Sequence, residues 1–358
     1  MSTDTAAAHA SASERHVVDR TRPAGPARPA RQWRRALSFG NIGAVYVWLL
    51  IILVFAVWVP ETFPTRTTFE QILNNNAVTG LIALSVVIPL AARVFDLSVA
   101  FTMTLSGVVV AHFVAQTSIG VVPAIALALG TALAIGFINA FVVVGLGVDS
   151  FIGTLATGSL IKALITMVTN DQSITGVKLL RAPFSSIAQT SLGGLTLPVV
   201  YLLVIAGAIW FVLEHTATGR RLYATGFNPD AARLQKVATN RLRFLSLITS
   251  ALLAGVAGVV FTSAIGSGSP TAGDPYLLAA YAAAFLGATQ LRGGRFNAWG
   301  TVIAVLLLGT GTTGLSLAST PQWSTSVFTG VVLIVALAVT SGRVRVPGRL
   351  RARAAAAD

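Results

Sequence analysis

Long apolar runs, separated by short polar segments, constrain this chain more than any other feature. A helix needs about 20 apolar residues to cross the hydrocarbon core of a bilayer, and each run has roughly that length. Gly and Pro interrupt several runs, which bundles tolerate because neighbouring helices satisfy the freed backbone groups. The pattern predicts an all-α, polytopic membrane helix bundle with about ten transmembrane helices. The predicted spans are 42–59, 75–92, 98–116, 120–146, 150–169, 196–213, 244–264, 276–291, 299–318 and 324–341.

The composition agrees with a membrane bundle and excludes an ordinary soluble fold. Hydrophobic residues make up 54% of the 358 residues and charged residues 10%, whereas about a quarter of the residues in soluble domains are charged. The spans and their loops fill positions 39–341, so we predict one transmembrane domain there. The Pro- and Arg-containing flanks predict a disordered basic arm over 1–38 and a basic tail over 342–358.

Basic residues are distributed unevenly between the two sides of the predicted bundle. With the N terminus inside, 21 of the 25 Lys and Arg residues fall on the inner side, three fall outside and Lys162 lies within a span. This bias predicts that both termini and the basic flanks are cytoplasmic, and it accounts for the positive charge without nucleic acid. Two halves of five spans would be inverted relative to each other, because an odd number of spans reverses direction.

Several kinds of site are excluded by what the sequence lacks. It contains no cysteine, and its four histidines are scattered without helical spacing, so a thiolate or multi-histidine metal site is not expected. No GxxxxGK[ST] segment occurs, which excludes a P-loop for ATP phosphates. We therefore predict no catalytic residues and no cofactor bound by this chain.

The longest predicted cytoplasmic loop covers 214–243 and has two open interpretations. Six basic residues favour a loop that only sets orientation. The segment Asn228-Pro229-Asp230 predicts instead the start of a short amphipathic helix, because Asn is a preferred cap and Pro fits the first helical turn. Such a helix would lie on the cytoplasmic face.

A family resemblance covers most of residues 42–341. The segments that carry it, in order, are FDLSVAFTMTLSG, GFINAF, FIGTLATGSLIKALI, GRRLYATGFNPDAARL and SGSPTAGDPYLLAAYAAAFLGATQLRGGRFNAWGT. Their order and spacing resemble the permease subunits of ribose-type, simple-sugar importers of the ATP-binding-cassette class, in the branched-chain amino acid and ribose permease superfamily. The chain departs from the usual pattern at Ala100, at Ala140 and at Asp149-Ser150, which leaves the solute open.

The resemblance implies a multi-pass protein of the bacterial inner (plasma) membrane and a set of partners. These are ATPase subunits, an extracytoplasmic solute-binding protein and a second permease copy, identical or homologous. Loop 214–243 would then couple ATPase motion to transport. The residues assigned to coupling are Gly219, Arg220, Arg221, Tyr223, Gly226, Asn228, Ala231 and Arg233.

Polar and aromatic residues within or beside the spans are candidates for the solute path. They are Asp96, Ser98, Asn139, Phe151 and Thr154. A carboxylate near an apolar span is costly unless it pairs or faces water, but Asp96 could equally cap the third span. Side chains such as Asn139 and Thr154 also bond neighbouring helices or their own backbone. Lys162 lies mid-span and has no partner that the sequence identifies.

These features predict a permease subunit that forms the translocation path for a monosaccharide or polyol. Branched-chain amino acids and nucleosides are alternative solutes within the same superfamily. An ion-coupled carrier and an intramembrane enzyme are alternatives from other classes. The spans lack the paired acidic and basic groups of a proton relay, which disfavours the carrier.

Overall fold

The computed structural model describes residues 39–289 and 294–340, with side chains over 45–289 and 294–335. The predicted arm 1–38 and tail 342–358 lie outside the described residues. Within the described part, thirteen α-helices account for nearly all of the structure. They are α1 (Phe39–Trp58), α2 (Arg66–Ala91), α3 (Val99–Gln116), α4 (Val121–Ala140), α5 (Ser150–Thr169), α6 (Ser186–Gln189), α7 (Leu197–His215), α8 (Ala217–Phe227), α9 (Pro229–Leu234), α10 (Thr239–Ile265), α11 (Tyr276–Ala288), α12 (Ala298–Leu317) and α13 (Trp323–Thr340).

The long helices follow the predicted spans in order. Seven are long and apolar enough to cross a membrane, namely α2, α3, α4 with its π-helical continuation Phe141–Gly145, α5, α7, α10 and α12. The remaining predicted spans contain the shorter apolar segments Val45–Trp58, Tyr276–Ala288 and Trp323–Val335. The prediction of an all-α, polytopic membrane bundle is confirmed.

Two long helices, α2 and α10, form the centre of the bundle and pack against each other. Helix α2 contacts α11 and α12, whereas α10 contacts α3 and α4. Each of them is the second long helix of its half of the chain. Each also packs against the third and fourth long helices of the other half. The predicted halves are therefore interlocked through these two helices.

Small residues allow α10 to approach its neighbours closely. Ala251, Ala254, Ala257 and Gly258 are buried on α10, and a methyl group on Gly258 would overlap the Met103 carbonyl of α3. In a bilayer, helices associate through such close packing because lipid provides no hydrophobic drive between them. The small residues therefore explain why α10 contacts several helices along its length.

The connections gather at two ends of the bundle. At the end predicted to be cytoplasmic, here called the inner end, α8 lies against the end of α2 and the start of α12, with Gly226 beside Ala91 and Tyr223 bonded to Phe296. At the opposite, outer end, two short antiparallel pairs join Ile174–Thr175 to Ser267–Gly268 and Ser191–Leu192 to Leu195–Thr196. Which of the two ends faces the cytoplasm stays a prediction.

Two irregular segments interrupt the helices inside the bundle. Segment 92–98 joins α2 to α3, and its Arg93 adopts a left-handed conformation with φ of 58°. Segment 266–275 joins α10 to α11 and starts at Gly266, with φ of 68°, which is a left-handed helix cap suited to glycine. These two segments position the polar side chains described next.

Candidate functional site

Asp96, Ser98 and Asn139 form one fully buried hydrogen-bonded cluster. The Ser98 backbone N–H and hydroxyl donate to Asp96 Oδ1 at 3.1 and 2.7 Å, and Asn139 Nδ2 donates to Ser98 Oγ at 2.7 Å. All three residues have no exposed surface. The cluster joins segment 92–98 to α4, so the predicted path residues on these two elements do come together.

Side chains from other helices satisfy the backbone of segment 92–98. Phe95 N–H donates to Ser150 Oγ at 3.1 Å, and Leu97 N–H donates to Thr154 Oγ1 at 3.0 Å. The Asp96 N–H donates to the Tyr281 hydroxyl of α11 at 3.1 Å. Backbone groups without a helical partner must be satisfied in this way when they are buried. Hydroxyls of α5 and α11 therefore hold the segment in place.

The predicted path residues divide into two groups. Asp96, Ser98, Asn139 and Thr154 are completely buried, whereas the Phe151 side chain is 50% exposed. Phe151 packs edge-on against Phe95, with ring centroids 6.3 Å apart. The capping interpretation of Asp96 is met in part. Asp96 Oδ1 accepts the N–H of Ser98, which is the residue just before α3 and not one of its first helical residues. The role of these residues in solute contact stays a prediction.

Three buried atoms of this region make no hydrogen bond of ordinary geometry among the described residues. They are Asp96 Oδ2, Asn139 Oδ1 and Ser250 Oγ. Ser250 of α10 nevertheless lies close enough to the Asp96 carboxylate to interact with it. A buried polar atom without any partner would be destabilising by about 1–3 kcal/mol.

Most of the predicted loop 214–243 folds into helices α8 and α9, residues 217–234, which are called the coupling element here after the role that the resemblance predicts. One face of α8 is anchored to three other parts of the bundle. Methyl groups on Gly219 and Gly226 would overlap the carbonyl oxygens of Leu213 in α7 and Ala91 in α2, so only glycine permits this approach. The Tyr223 hydroxyl donates to the Phe296 carbonyl at 2.7 Å. Movement of the coupling element would therefore act directly on the helix ends.

The predicted cap of the short helix is confirmed. Asn228 Oδ1 accepts the N–H of Ala231 at 3.0 Å and so begins α9. Arg233 Nε donates to Thr239 Oγ1 at 3.0 Å, which ties α9 to the start of α10. Helix α8 itself was not predicted, because Gly219 and Gly226 lower helix propensity in the sequence.

The outward face of the coupling element combines basic and apolar residues. Arg220, Arg221 and Ala231 are exposed, and Phe227 and Leu234 are 89% and 84% exposed. Sequence reasoning considered the charges of this loop and missed these two apolar side chains. Their position on either side of the Asn228 cap, in an otherwise polar loop, is the signal that could have identified them.

Lys162, whose partner the sequence does not identify, lies near Asp274 of segment 266–275. Its Nζ atom is 3.7 Å from Asp274 Oδ2. The two residues are far apart in the sequence, and only the return of segment 266–275 beside α3 and α5 brings them together.

The comparisons with known proteins agree with this architecture. Residues 68–337, which include both irregular segments and the coupling element, match the family described as "Branched-chain amino acid transport system / permease component". The chain belongs to this family. It is accordingly a multi-pass membrane protein and a component of a transport system.

Individual relatives match over most of their length. The D-allose transport system permease protein AlsC of Escherichia coli K12 is 29% identical over 89% of this chain and 97% of the relative. The ribose import permease protein RbsC of Bacillus subtilis is 31% identical over 82% of this chain and 90% of the relative. The fructose import permease protein FrcC of Rhizobium meliloti is 29% identical over 82% and 83%.

Proposed function

We propose that this chain is the permease subunit of an ATP-driven importer and forms the membrane path for a simple sugar or polyol. The observation that carries the proposal is the coupling element. It is fixed to the ends of α2 and α7 through Gly226 and Gly219, yet it exposes Phe227 and Leu234 at the inner end. Two large apolar side chains exposed outside the membrane-spanning helices suit contact with a protein partner.

The partner that suits this surface is an ATPase subunit. The sequence has no P-loop, so energy from ATP has to be supplied by another chain. Arg220 and Arg221 beside the apolar side chains would favour association with an acidic rim on that subunit. ATP and Mg²⁺ would then bind on the partner, and this chain would hold no cofactor.

The solute class follows from the relatives and from the chemistry of the polar side chains. The matched permeases are described as transporting D-allose, ribose, fructose and L-arabinose, which are all neutral polyhydroxy compounds. Ser98, Asn139 and Thr154 carry hydroxyl and amide groups of the type that pairs with sugar hydroxyls, and in this structure they are buried and bonded to protein groups. An extracytoplasmic binding protein would deliver the solute to a pair of permease copies. Both termini would lie in the cytoplasm.

Reconstitution with the partner subunits tests the proposal. The chain, its ATPase and its binding protein are placed in vesicles, and uptake of D-allose, D-ribose, D-fructose and L-arabinose is compared with uptake of leucine and adenosine. We expect uptake of at least one sugar that requires both ATP and the binding protein. An ATPase unable to hydrolyse ATP serves as the control.

Three results would contradict the proposal. Uptake of leucine or adenosine alone would assign the alternative solutes. Uptake driven by a proton or sodium gradient without ATPase would indicate an ion-coupled carrier. Chemical conversion of a solute by the purified chain would indicate an intramembrane enzyme.

A further inference from the structure

Helix α5 exposes two parallel stripes that differ in chemistry. Each stripe has the spacing of residues that share one face of a helix, and every member is exposed in the single chain. One stripe begins with the apolar Phe151 and Leu155 and continues with Ser159, Lys162 and Thr166, and it is called the polar stripe after these last three residues. The apolar stripe lies one residue further along and consists of Ile152, Ala156, Leu160, Ala163 and Met167. The apolar stripe suits lipid, whereas the part of the polar stripe from Ser159 to Thr166 does not.

Lys162 stands too deep in the helix to reach water by extending along it. At 1.5 Å per residue, it lies about 18 Å from the inner end of α5 and about 10 Å from the outer end. A charge at this depth is costly when it faces lipid and is normally found where the bundle is hydrated or where it pairs. A half-exposed charged pair at this depth fits a face of α5 that borders water better than a face that borders lipid.

Segment 266–275 brings the partner charge to the same place. It descends along α3, where Gly268 packs against Ala111 and the Gly273 N–H donates to Thr104 Oγ1 at 2.9 Å. The descent places Asp274 beside α5, so a carboxylate from a loop at the outer end reaches into the bundle. The structure builds this arrangement specifically, because a methyl group on Gly273 would overlap the Ala100 carbonyl.

The contact between the two charges is loose. The Lys162 Nζ to Asp274 Oδ2 distance is 3.7 Å, and the side chains are 53% and 46% exposed. A close ammonium–carboxylate hydrogen bond is shorter, about 2.7–2.9 Å. The ammonium has three donors and the carboxylate has several acceptor positions. Both groups therefore keep capacity for a third molecule.

We propose that Lys162 and Asp274 form a hydrated, solute-contacting site in the outer half of the translocation path. A hydroxyl group accepts from the ammonium and donates to the carboxylate, so one hydroxyl satisfies both members of the pair. The chemical class of ligand that we assign is an uncharged polyhydroxy compound, whose hydroxyl groups can each bridge the ammonium and the carboxylate. The identity of the solute rests on the proposed function, and the hydration of the polar stripe does not.

Thiol labelling tests the hydration without any transport measurement. The chain has no native cysteine, so Ser159→Cys on the polar stripe and Leu160→Cys on the apolar stripe are directly comparable single sites at the same depth. We expect a cationic, membrane-impermeant methanethiosulfonate reagent, added from the outer side of the assembled complex, to label Ser159→Cys at least about tenfold faster, because the charged reagent avoids lipid. Equal labelling rates at the two sites would overturn the proposal. Two slow rates would mean that lipid or another chain covers the polar stripe, and two fast rates would mean that the polar stripe is no more hydrated than the apolar stripe.

Solute protection tests the contact itself. Labelling of Ser159→Cys is repeated with an excess of D-allose, D-ribose, D-fructose or L-arabinose, and with sucrose as an osmotic control. At least one monosaccharide should slow labelling. Adding Lys162→Met or Asp274→Asn should abolish that protection, and Lys162→Arg should retain it, with all variants matched for membrane level and ATPase co-purification.

The outcomes separate this inference from the proposed function. Labelling that no monosaccharide slows, or protection that survives Lys162→Met, would overturn the solute contact even in a complex that transports sugar. A complex that transports none of the four sugars would contradict the proposed function. Even in a complex that transports none of the four sugars, fast labelling of Ser159→Cys, with a protection that Lys162→Met abolishes, would support a hydrated site for polyhydroxy compounds.

Discussion

Single side chains replace the backbone hydrogen bonds that are lost where α2 ends. Thr154 accepts the N–H of Leu97 and also donates to the Ser150 carbonyl of its own helix at 2.7 Å. The Thr154 hydroxyl is therefore the group of this side chain that links α5 to segment 92–98. Thr157, one turn further along, donates only to the Gly153 carbonyl of α5, at 3.0 Å.

The first prediction compares these two threonines. Thr154→Val removes the acceptor for the buried Leu97 N–H, and we expect a loss of stability of about 1–3 kcal/mol because that donor is left unpaired. Thr157→Val removes only a bond within the helix, so its effect should be much smaller. Thermal unfolding of both variants in the same detergent is the measurement. Equal melting temperatures for the two variants would mean that the Leu97 bond contributes nothing.

The second prediction concerns the close approach of α8 to α2. Gly226→Ala places a methyl group against the Ala91 carbonyl, and we expect a loss of about 1–3 kcal/mol together with weaker coupling of ATPase activity to uptake, because α8 must shift. Gly207→Ala in α7 is the matched control, since no atom lies within 4 Å of the added methyl group. Alanine is favoured over glycine in a helix, so this control should be neutral or slightly more stable. Unchanged stability and coupling in Gly226→Ala would contradict the anchoring of α8.

Among the elements, the apolar spans were predictable and their polar extensions were not. The predicted span 150–169 coincides with α5, but α2 begins at Arg66 rather than 75, and α10 begins at Thr239 rather than 244. Hydropathy follows the part of a helix that lies in the hydrocarbon, so it stops where polar turns continue the same helix beyond it. The sequence also could not pair Lys162 with Asp274, because that contact depends on the path of segment 266–275.

The sequence brought together four residues that are neighbours in the structure, but it did not predict their burial. Asp96, Ser98, Asn139 and Thr154 were grouped from motifs, and hydrogen bonds do link them through segment 92–98. Their complete burial depends on the packing of α3, α4 and α10, which no local pattern encodes. The coupling element was likewise predictable only in part. Its Asn228 cap is a local sequence signal, whereas the exposure of Phe227 and Leu234 is a property of the folded surface.

The third prediction tests the coupling element as a docking surface. Ala231 is exposed and lies in the sequence between Phe227 and Leu234, so Ala231→Glu adds bulk and negative charge to the outward surface of the coupling element. We expect Ala231→Glu and Phe227→Ser to reduce ATPase binding and uptake strongly, whereas Arg221→Ala at the solvated rim should mainly slow association. Co-purification of the ATPase and stimulation of its activity by loaded binding protein are the measurements.

A matched control for the docking surface lies at the other end of the bundle. Leu192 is 63% exposed in the outer hairpin, so Leu192→Ser removes a similar apolar surface away from the proposed partner. It should leave ATPase binding unchanged. If Ala231→Glu reached the membrane and kept full ATPase binding and uptake, the loop would be an orientation signal only.

For the whole molecule, the two ends of the bundle define a topology that can be tested directly. The fourth prediction uses single cysteines at Asp230, at the inner end, and at Leu192, at the outer end. In intact cells, an impermeant thiol reagent should label Leu192→Cys and should label Asp230→Cys only after permeabilisation, because basic loops stay in the cytoplasm. Labelling of Asp230→Cys in intact cells would overturn the orientation.

The final prediction concerns the assembly of two permease copies. We expect it because the polar stripe of α5 is exposed in a single chain. In one chain this stripe and Asp274 are open on one side, and a charged, hydrated surface cannot border lipid without a large cost. A second permease copy facing this stripe would shield the path from lipid and leave it open to water and solute. The coupling element at each inner end would then bind one ATPase subunit.

Native mass spectrometry of the detergent-solubilised complex measures this assembly. We expect two permease chains, each of 37.1 kDa if both are this chain, together with two ATPase subunits. The Phe227→Ser variant is an internal control, because it should release ATPase subunits and leave the permease pair intact if the two contacts are separate. A transport-active complex that holds one permease chain, or that holds no nucleotide-binding subunit, would contradict the assembly, since a single copy would leave Lys162 and Asp274 facing lipid.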